Sequence, residues 1–404
     1  MQAQPRRITV SVPGKVLVCG GYLITDGLSS GIVVATENNR QEYLLQRNPS
    51  HCSSVGKTGL GSSACLVTSL TATLVSYFDK TIPVSNTDQY ASFINKTFRI
   101  SHYVHSLLQG RYGSGFDVSC CCYGTQIFKQ GERKPIKSES NIQEKEINQR
   151  IEWEDIPLPD LHIFDHTLHD GSIQLLSPFP SALWICICEI GDGSSTVSLA
   201  SQLNEWKKKA KEGEKTSEQQ SYDIFNQLRE VNQQLIEDIV KLKQKENEIT
   251  QNYKKDVKCA SFQEELNTWR FSNEESDIQQ SPYKQNQTTH QLISRVSQSF
   301  RRYKHSLLRI TEESKVQIVP PFAEQLAESA EQVPGVLACG VPGAGGEDAL
   351  FIIAISQAVI VHVFEALEVV AERSHRLIVL QRPFQIPCGY EDDEEMQQSG
   401  LRFE

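Results

Sequence analysis

Glycines and serines stand together in residues 59–64 (GLGSSA), directly before an apolar helical pattern. Small side chains let backbone N–H groups approach a phosphate closely, and a helix N-terminus adds about half a positive charge at that point. The hydroxyls of Ser62 and Ser63 can hold phosphate oxygens or a Mg²⁺ ion. The same residues also suit an ordinary turn with a serine cap, so the motif alone leaves both an anion site and a plain helix start open.

Two familiar phosphate motifs overlap this segment, and neither fits it. A Walker A loop that ends in GKT at 56–58 requires glycine at position 51, where the chain has His51. A dinucleotide-binding G-x-G-x-x-A requires a buried strand directly before Gly59, and residues 52–58 do not have a strand pattern. We therefore expect neither a P-loop nor a Rossmann site.

Three further segments carry residues suited to phosphate chemistry. Asp117 lies in GSGFDV at 113–118, where a carboxylate flanked by glycines can act as a base or steer the attacking group. The glycine-rich residues 340–346 (GVPGAGG) precede an apolar run, so their amides can meet an anion. Lys15 follows Pro13-Gly14 at a strand edge and can contact a phosphate as a point charge. The alternatives are a solvated turn, a tight bend between strands and a surface lysine.

Apolar periodicity predicts the elements that would position these residues. Short apolar runs predict strands around the turn at Pro13-Gly14, at 31–35, at 127–129 and at 182–189. A helix is predicted over 62–78, and its apolar positions are Val67, Leu70, Leu74 and Tyr77.

Three more helices follow from the same pattern. One is predicted from about residue 87 to 108. The other two are polar overall, but each has a clean apolar stripe at helical spacing, which favours amphipathic helices over disorder. These stripes are Ile224, Leu228, Val231, Leu235, Ile239 and Leu242, and then Ile293, Val296, Phe300, Tyr303, Leu307 and Ile310.

Composition excludes several classes of protein. The 404 residues suit two or three domains, and a net charge of −10 makes a nucleic-acid partner unexpected. Eleven cysteines spread over a long chain indicate reduced thiols. Residues 1–10 hold no apolar stretch long enough for a secretory signal, and the longest apolar run, 349–364, is interrupted by polar residues. We therefore expect a cytoplasmic protein without a membrane partner.

The order of these motifs resembles that of the GHMP kinases, and within them the eukaryotic phosphomevalonate kinases of the fungal and plant type. A segment at 303–320 (YKHSLLRITEESKVQIVP) also looks like this family. The other matching strings are SVPGKVLVCGGYLI at 11–24, KTGLGSSACLVTSL at 57–70, GSGFDVSCCCYGT at 113–125, GSSTVSL at 193–199 and GVLACGVPGAGGEDALF at 335–351.

The resemblance implies an α+β fold of two domains with the active site in the cleft between them. The N-terminal, ATP-binding domain would be residues 1–178 and the C-terminal domain 179–404, with a polar helical insertion around 200–290. The implied activity is Mg²⁺- and ATP-dependent phosphoryl transfer to 5-phosphomevalonate, which gives 5-diphosphomevalonate and ADP in the mevalonate pathway to isoprenoids and sterols.

The resemblance also assigns roles to residues. Asp117 would be the catalytic carboxylate, and Lys15 would neutralise charge on the transferring group. Ser62 or Ser63 would assist Mg²⁺. The ATP phosphates would be bound by Lys57, Thr58, Gly59, Leu60, Gly61, Ser62, Ser63, Ala64 and Cys65. The acceptor would be lined by Ser194, Ser195, Thr196, Lys304, Gly343, Ala344, Gly345 and Gly346.

Two departures from the family keep other functions open. Lys304 stands where the family usually has an arginine, and a lysine lacks the bidentate fork of the guanidinium. The long segment that precedes KTGLGSSA in the family is essentially absent. A catalytically impaired or truncated paralogue without kinase turnover, and a GHMP kinase for another small acceptor, are therefore alternatives.

Overall fold

The structure of the chain is a computed structural model. It describes the ranges 10–36, 62–79, 88–110, 113–131, 160–162, 164–167, 173–191, 196–212, 215–252, 286–386 and 402–403, together with residues 8 and 158. Within these ranges, antiparallel strands and helices follow one another in separate runs, as expected of an α+β protein.

An antiparallel sheet of four strands forms the N-terminal part of the chain. Its strand order is β2 (Lys15–Cys19), β3 (Ser30–Ala35), β4 (Gln126–Lys129) and β5 (Asp160–His162). The central strands are apolar and buried along almost their whole length, which explains their continuous rather than alternating sequence pattern. Two smaller pairs join β1 (Val10–Ser11) to β13 (Arg402–Phe403) and β6 (Phe164–Thr167) to β7 (Ile173–Leu176).

Three helices pack together in the same part of the chain. They are α1 (Ser62–Asp79), α2 (Asp88–Gln109) and α3 (Phe116–Tyr123), and together they bury a small core of their own. The predicted bounds of α1 and α2 are confirmed to within two residues.

The apolar stripe predicted for α1 does not face the core. The side chains of Leu70, Leu74 and Tyr77 are 56%, 46% and 58% exposed, and only Val67 among the four is buried. The face that packs against α2 and α3 is made of smaller and more polar residues. These are Ala64, Val67, Thr68, Thr71, Ala72, Val75 and Ser76.

A second antiparallel sheet lies in the C-terminal part. Strand β8 (Trp184–Glu189) pairs with β10 (Ala349–Ala354), which pairs with β9 (Val336–Gly340). Two short strands, β11 (Val379–Leu380) and β12 (Phe384–Gln385), pair with the other edge of β8. Every residue of β10 is buried, so the sheet is covered on both faces.

Five helices complete the C-terminal part that the structure describes. The helices α7 (Pro321–Glu331) and α8 (Gln357–Arg373) pack on each other, and the first also packs on β9. The helix α4 (Thr196–Glu212) leads into α5 (Lys215–Asn252), and α5 and α6 (Asn286–Ser314) carry the two predicted amphipathic patterns. Both predicted stripes, on α5 and α6, are confirmed as buried, except that Val231 is half-buried.

A buried ion pair fixes the end of α5 to the start of β8. The Nζ atom of Lys243 lies 2.8 Å from Oε2 of Glu246, and the side chains are 2% and 7% exposed. The Glu246 carboxylate also accepts hydrogen bonds from the amide and hydroxyl of Ser181 and from the amide of Ala182. The buried charges are therefore well satisfied by hydrogen bonds.

The helix α5 also contacts the N-terminal sheet. The Nδ2 atom of Asn232 donates to the carbonyl of Ser30 over 2.8 Å, and Nε of Arg229 donates to the Ser29 hydroxyl over 3.3 Å. One hydrophobic core accordingly includes Val16 of the first sheet as well as most of the second sheet. None of the cysteines described forms a disulfide, and no described helix is both long and apolar enough to cross a membrane.

Candidate active site

Asp117 lies in the first turn of α3, and the preceding loop needs glycine to place it there. Gly115, the residue before the helix, has a left-handed φ of 81°, and a Cβ at this position would lie 2.8 Å from the ring of His102. The Oδ1 atom of Asp117 accepts a hydrogen bond from the Val118 amide over 2.9 Å. The side chain is 19% exposed, so the carboxylate is reachable from solvent.

A histidine links this carboxylate to the start of α1. The Nδ1 atom of His105, on α2, lies 3.7 Å from Oδ2 of Asp117. Its Nε2 atom lies 3.0 Å from Oγ of Ser63 and 3.2 Å from Nε2 of Gln109. Three helices thus bring a serine, a histidine and an aspartate into one row.

Lys15 lies on the same side of the molecule as Asp117. It is the first residue of β2, and its Nζ atom is 4.9 Å from the ring centroid of Phe116. Lys15 and Asp117 both act on the buried thiol of Cys120. Burial, Cys65 and Asp117 raise the pKa of this thiol, and Lys15 lowers it. A cation and a carboxylate therefore lie near the same residue of α3.

The start of α1 is held beside the Pro13-Gly14-Lys15 turn. The thiol of Cys65 donates to the carbonyl of Pro13 over 3.2 Å, and the Cys121 thiol reaches the same oxygen over 3.5 Å. The adjacent Ala64 is fully buried. The described part of the predicted phosphate segment thereby lies next to the strand that carries Lys15.

Part of the predicted ATP segment lies outside the described residues. These positions are Lys57, Thr58, Gly59, Leu60 and Gly61, and the side chain of Ser62 is also outside them. On the acceptor side, Ser194 and Ser195 lie outside them, and Thr196 begins α4 without a described side chain.

The glycine-rich loop at 343–346 contacts the N-terminal part of the chain. The amide of Gly343 donates to the carbonyl of Leu17 over 3.0 Å, and the amide of Gly346 donates to the carbonyl of Ile318 over 2.8 Å. A third amide, of Gly345, donates to the carbonyl of Pro342. These bonds hold the loop beside β2, and its contact with the acceptor stays a prediction.

Lys304 pairs with a glutamate in this structure. Its Nζ atom lies 2.5 Å from Oε2 of Glu331, and the two side chains are only 15% and 13% exposed. Lys304 also lines a small pocket together with Tyr303 and Cys339. Glu331 compensates the charge of Lys304 here, and the predicted contact of Lys304 with the acceptor phosphate stays a prediction.

Tyr303 contributes a contact that the sequence pattern did not indicate. We expected it only as a member of the apolar stripe of α6, but its hydroxyl accepts hydrogen bonds from the amides of Gly20 and Gly21 over 2.9 and 3.1 Å. Burial raises the pKa of this phenol, so it remains neutral. The residues are 283 and 282 positions apart, and no local pattern joins them.

His105 was also missed, although a signal for it exists. His105 and Gln109 are four residues apart on a helix that ends directly before the GSG loop, so they share a face near Asp117. Among the residues described, no group of three His, Cys, Asp or Glu side chains is arranged to hold a metal ion.

The sequence has relatives among known proteins, although no protein-family model matches it. The phosphomevalonate kinase of Candida albicans is 22% identical over 333 residues, which is 80% of this chain and 62% of that protein. The protein named peroxisomal phosphomevalonate kinase in Arabidopsis thaliana is 25% identical over 315 residues, which is 74% of this chain and 55% of that protein. The chain thus spans little more than half the length of the relatives it matches.

The fold also matches solved structures. The phosphomevalonate kinase of Streptococcus pneumoniae, in complex with phosphomevalonate and AMPPNP, superimposes with a TM-score of 0.54 at 10% identity. The match covers 94% of this chain and 100% of that one. A likeness at this level of identity concerns the fold, and it confirms the predicted α+β class.

Proposed function

We propose that this chain, which has the GHMP kinase fold and phosphomevalonate kinases as its sequence relatives, transfers the γ-phosphoryl group of ATP to 5-phosphomevalonate. The products are 5-diphosphomevalonate and ADP, in the cytoplasmic mevalonate pathway to isoprenoids and sterols. The observation that carries the proposal is the convergence of Lys15, Ser63 and Asp117 from β2, α1 and α3. The family resemblance assigns catalysis to Lys15 and Asp117, and binding of ATP and Mg²⁺ to Ser63.

The start of α1 suits the ATP phosphates. The first turn of this helix carries no acidic residue, so its partial positive charge is not cancelled. Phosphoryl transfer needs positioning and charge neutralisation more than covalent chemistry. Lys15 supplies a point charge for the transferring group, and the segment at 57–65 wraps the remaining phosphates.

Asp117 acts on the acceptor by orientation rather than by removing a proton. The second pKa of a phosphate monoester is about 6, so most of the acceptor phosphate is already a dianion at about pH 7. A general base is therefore not required for attack. The Asp117 carboxylate would instead orient the groups around the attacking oxygen, with the charge of Lys15 nearby.

Mg²⁺ fits the oxygen donors of this site. The ion usually keeps several waters and binds one or two protein oxygens in addition to substrate phosphates. Ser62 or Ser63 would provide a hydroxyl oxygen to the ion. When bound, Mg²⁺ neutralises charge on the phosphates of ATP.

The two-domain division remains part of this proposal. The strands β2 to β5 all precede residue 178, and β8 to β12 all follow it, which supports domains at 1–178 and 179–404. The insertion around 200–290 then includes α4 and α5 and the first residues of α6. The proposed cleft lies where the 343–346 loop meets β2.

A second candidate is a GHMP kinase that acts on an unphosphorylated acceptor. The pairing of Lys304 with Glu331 favours it, because the family's phosphate-binding position carries no net charge here. The catalytic roles of Lys15 and Asp117 would be the same in both cases.

ADP release with Mg·ATP tests the proposal and separates the candidates. Wild type and Asp117→Asn are compared with 5-phosphomevalonate, mevalonate, homoserine and galactose as acceptors. Turnover with 5-phosphomevalonate that collapses in Asp117→Asn supports the proposed reaction. Turnover with an unphosphorylated acceptor alone supports the second candidate. A folded wild type that binds ATP but turns over no acceptor contradicts both and leaves a paralogue without kinase activity.

A further inference from the structure

We infer that His105 is a positioning residue that holds Ser63 and Asp117 in fixed relation to each other. This inference rests on the proposed function, because it gives the two partners of His105 their roles. No sequence motif predicts a role for His105. The argument comes from the burial of His105 and from the distances between its two ring nitrogens and their partners.

The ring of His105 is enclosed where three helices meet. Its side chain is 5% exposed, on the last turns of α2, and it lies between the first turn of α1 and the first turn of α3. Ser63 is 42 positions away in sequence. A buried polar ring costs stability unless it is hydrogen-bonded, so its contacts are an essential part of this packing.

The two ring nitrogens of His105 face different partners. Nε2 lies 3.0 Å from the Ser63 hydroxyl and 3.2 Å from the amide nitrogen of Gln109, and Nδ1 lies 3.7 Å from Oδ2 of Asp117. One ring therefore spans the distance between the start of α1 and the start of α3.

The same ring fixes the position of the Ser63 hydroxyl. Its Oγ is held 3.0 Å from Nε2 of His105, at an exposed residue of the first turn of α1. The hydroxyl is thereby kept at the helix start where the proposed function needs the ATP phosphates.

The contact with Asp117 is longer than a hydrogen bond. Such contacts in substrate-free active sites often tighten when the substrates bind. The neighbouring His102, one turn earlier on α2, contacts the loop instead, since its Nε2 lies 3.3 Å from the Gly113 carbonyl and its ring packs against Gly115. His105 therefore positions the functional side chains, and His102 supports the loop.

Kinetics of three substitutions test this inference in the full chain. His105→Ala removes both contacts, and we expect kcat to fall about 10-fold to 100-fold, as for other residues that orient a ligand, with a smaller change in KM for ATP. His105→Asn keeps a donor near the Nδ1 position, and His105→Gln keeps an amide near the Nε2 position. Each should recover part of the kcat that His105→Ala loses.

The matched control is His362→Ala, since His362 is 54% exposed on α8 and pairs with Glu365 of the same helix. This variant should turn over like wild type. The inference is overturned if His105→Ala keeps wild-type kcat, or if the alanine, asparagine and glutamine variants are equally impaired, as a purely structural role would predict.

A spectroscopic test does not depend on turnover. In amide ¹H–¹⁵N spectra, His105→Ala should shift the signals of Ser63, whose hydroxyl contacts the ring, and of Val118, whose amide donates to Asp117. The control His362→Ala should leave both signals unchanged, and unshifted signals in His105→Ala overturn the inference whatever the activity. If wild type has no turnover and both signals shift, the proposed function fails but the arrangement of Ser63, His105 and Asp117 stands.

Discussion

The helical layer α1 to α3 and the C-terminal sheet are stabilised in different ways. The helices bury a small core that includes Ala64, Ala72 and Val75, and the buried hydroxyls of Thr68, Ser76, Thr97 and Ser101 have no hydrogen-bond partner within the described residues. The sheet buries long aliphatic side chains along the whole of β10. An unmade buried hydrogen bond costs about 1–3 kcal/mol, so the layer that carries the proposed site is the less stable of the two.

The two regions therefore contribute different kinds of groups to the folded chain. The C-terminal sheet supplies most of the apolar burial, and the helical layer supplies polar groups at positions where packing alone would favour apolar ones. Proteins commonly lose stability where they place functional groups. Substitutions in the two regions should therefore change different properties.

The largest expected effect is on activity, from Asp117→Asn in the helical layer. We expect kcat to fall about 100-fold to 1,000-fold, the usual result when one electrostatic group is removed from an active site. The thermal midpoint should hardly change, because Asp117 is partly exposed and contacts mainly Val118 and His105. Steady-state kinetics and thermal unfolding of the same preparation measure both. A large loss of stability would show that Asp117 is a structural residue.

The next effect is on stability, from Glu246→Ala at the junction of α5 and β8. This change leaves the Lys243 ammonium buried without its partner and removes the acceptors of Ser181 and Ala182. We expect the free energy of unfolding to fall by about 3–5 kcal/mol in denaturant titrations.

Glu237→Ala is the control on the same helix, since Glu237 is 47% exposed and its partner Lys241 is 3.9 Å away. It should change the stability by less than about 0.5 kcal/mol. Equal effects of the two substitutions would mean that the Lys243–Glu246 pair is not buried in solution.

Two leucines compare the regions directly. Leu228 is fully buried and Leu70 is 56% exposed, although both belong to apolar helical patterns. Leu228→Ala should lower the free energy of unfolding by about 2–5 kcal/mol, and Leu70→Ala should change it by less than about 0.5 kcal/mol. Denaturant titration of both variants decides this. A large effect at Leu70 would show that another surface covers this face of α1 in solution.

The smallest effect concerns buried thiols at high pH. Burial raises the pKa of Cys19, in the first sheet, and of Cys188, in the second, to about 12. In the unfolded chain these thiols ionise near pH 9, so the unfolded state loses protons first and the free energy of unfolding falls as pH rises from about 9 to about 12. The slope is at most about 1.4 kcal/mol per pH unit for each thiol.

Cys188→Ala and Cys19→Ala should each reduce that slope, which unfolding experiments from about pH 8 to about pH 11 can measure. If only Cys188→Ala reduces it, the thiol in the first sheet ionises as freely in the folded chain as in the unfolded chain. The first sheet would then resemble the helical layer, and not the C-terminal sheet, in its lower stability.

The elements that the sequence predicted well are those with long apolar periods. The strand β8 and the buried faces of α5 and α6 are of this kind, because large aliphatic residues at regular spacing leave few alternatives. On α1 the same rule failed. Its buried face is built from Ala, Thr and Ser, which pack closely against α2 and α3, and its leucines lie outside that contact.

The candidate site was predictable only where a motif marks it. Lys15, Ser63 and Asp117 stand in recognisable local strings, and the structure brings their segments together. Tyr303 acts through contacts with a distant segment, which no local pattern encodes, and for His105 the only local signal is its place at the end of α2. The pairing of Lys304 with Glu331 depends in the same way on how α6 packs against α7.

The hydroxyl of Tyr303 has a consequence for how the two parts of the chain can move relative to each other. Its two bonds to Gly20 and Gly21 join the turn after β2 to the C-terminal part, at the place where Gly343 bonds to Leu17 and the Tyr22 hydroxyl donates to the carbonyl of Ala344. Separation of the parts there would break these four hydrogen bonds at once. We therefore expect any relative motion of the two parts to pivot about this place.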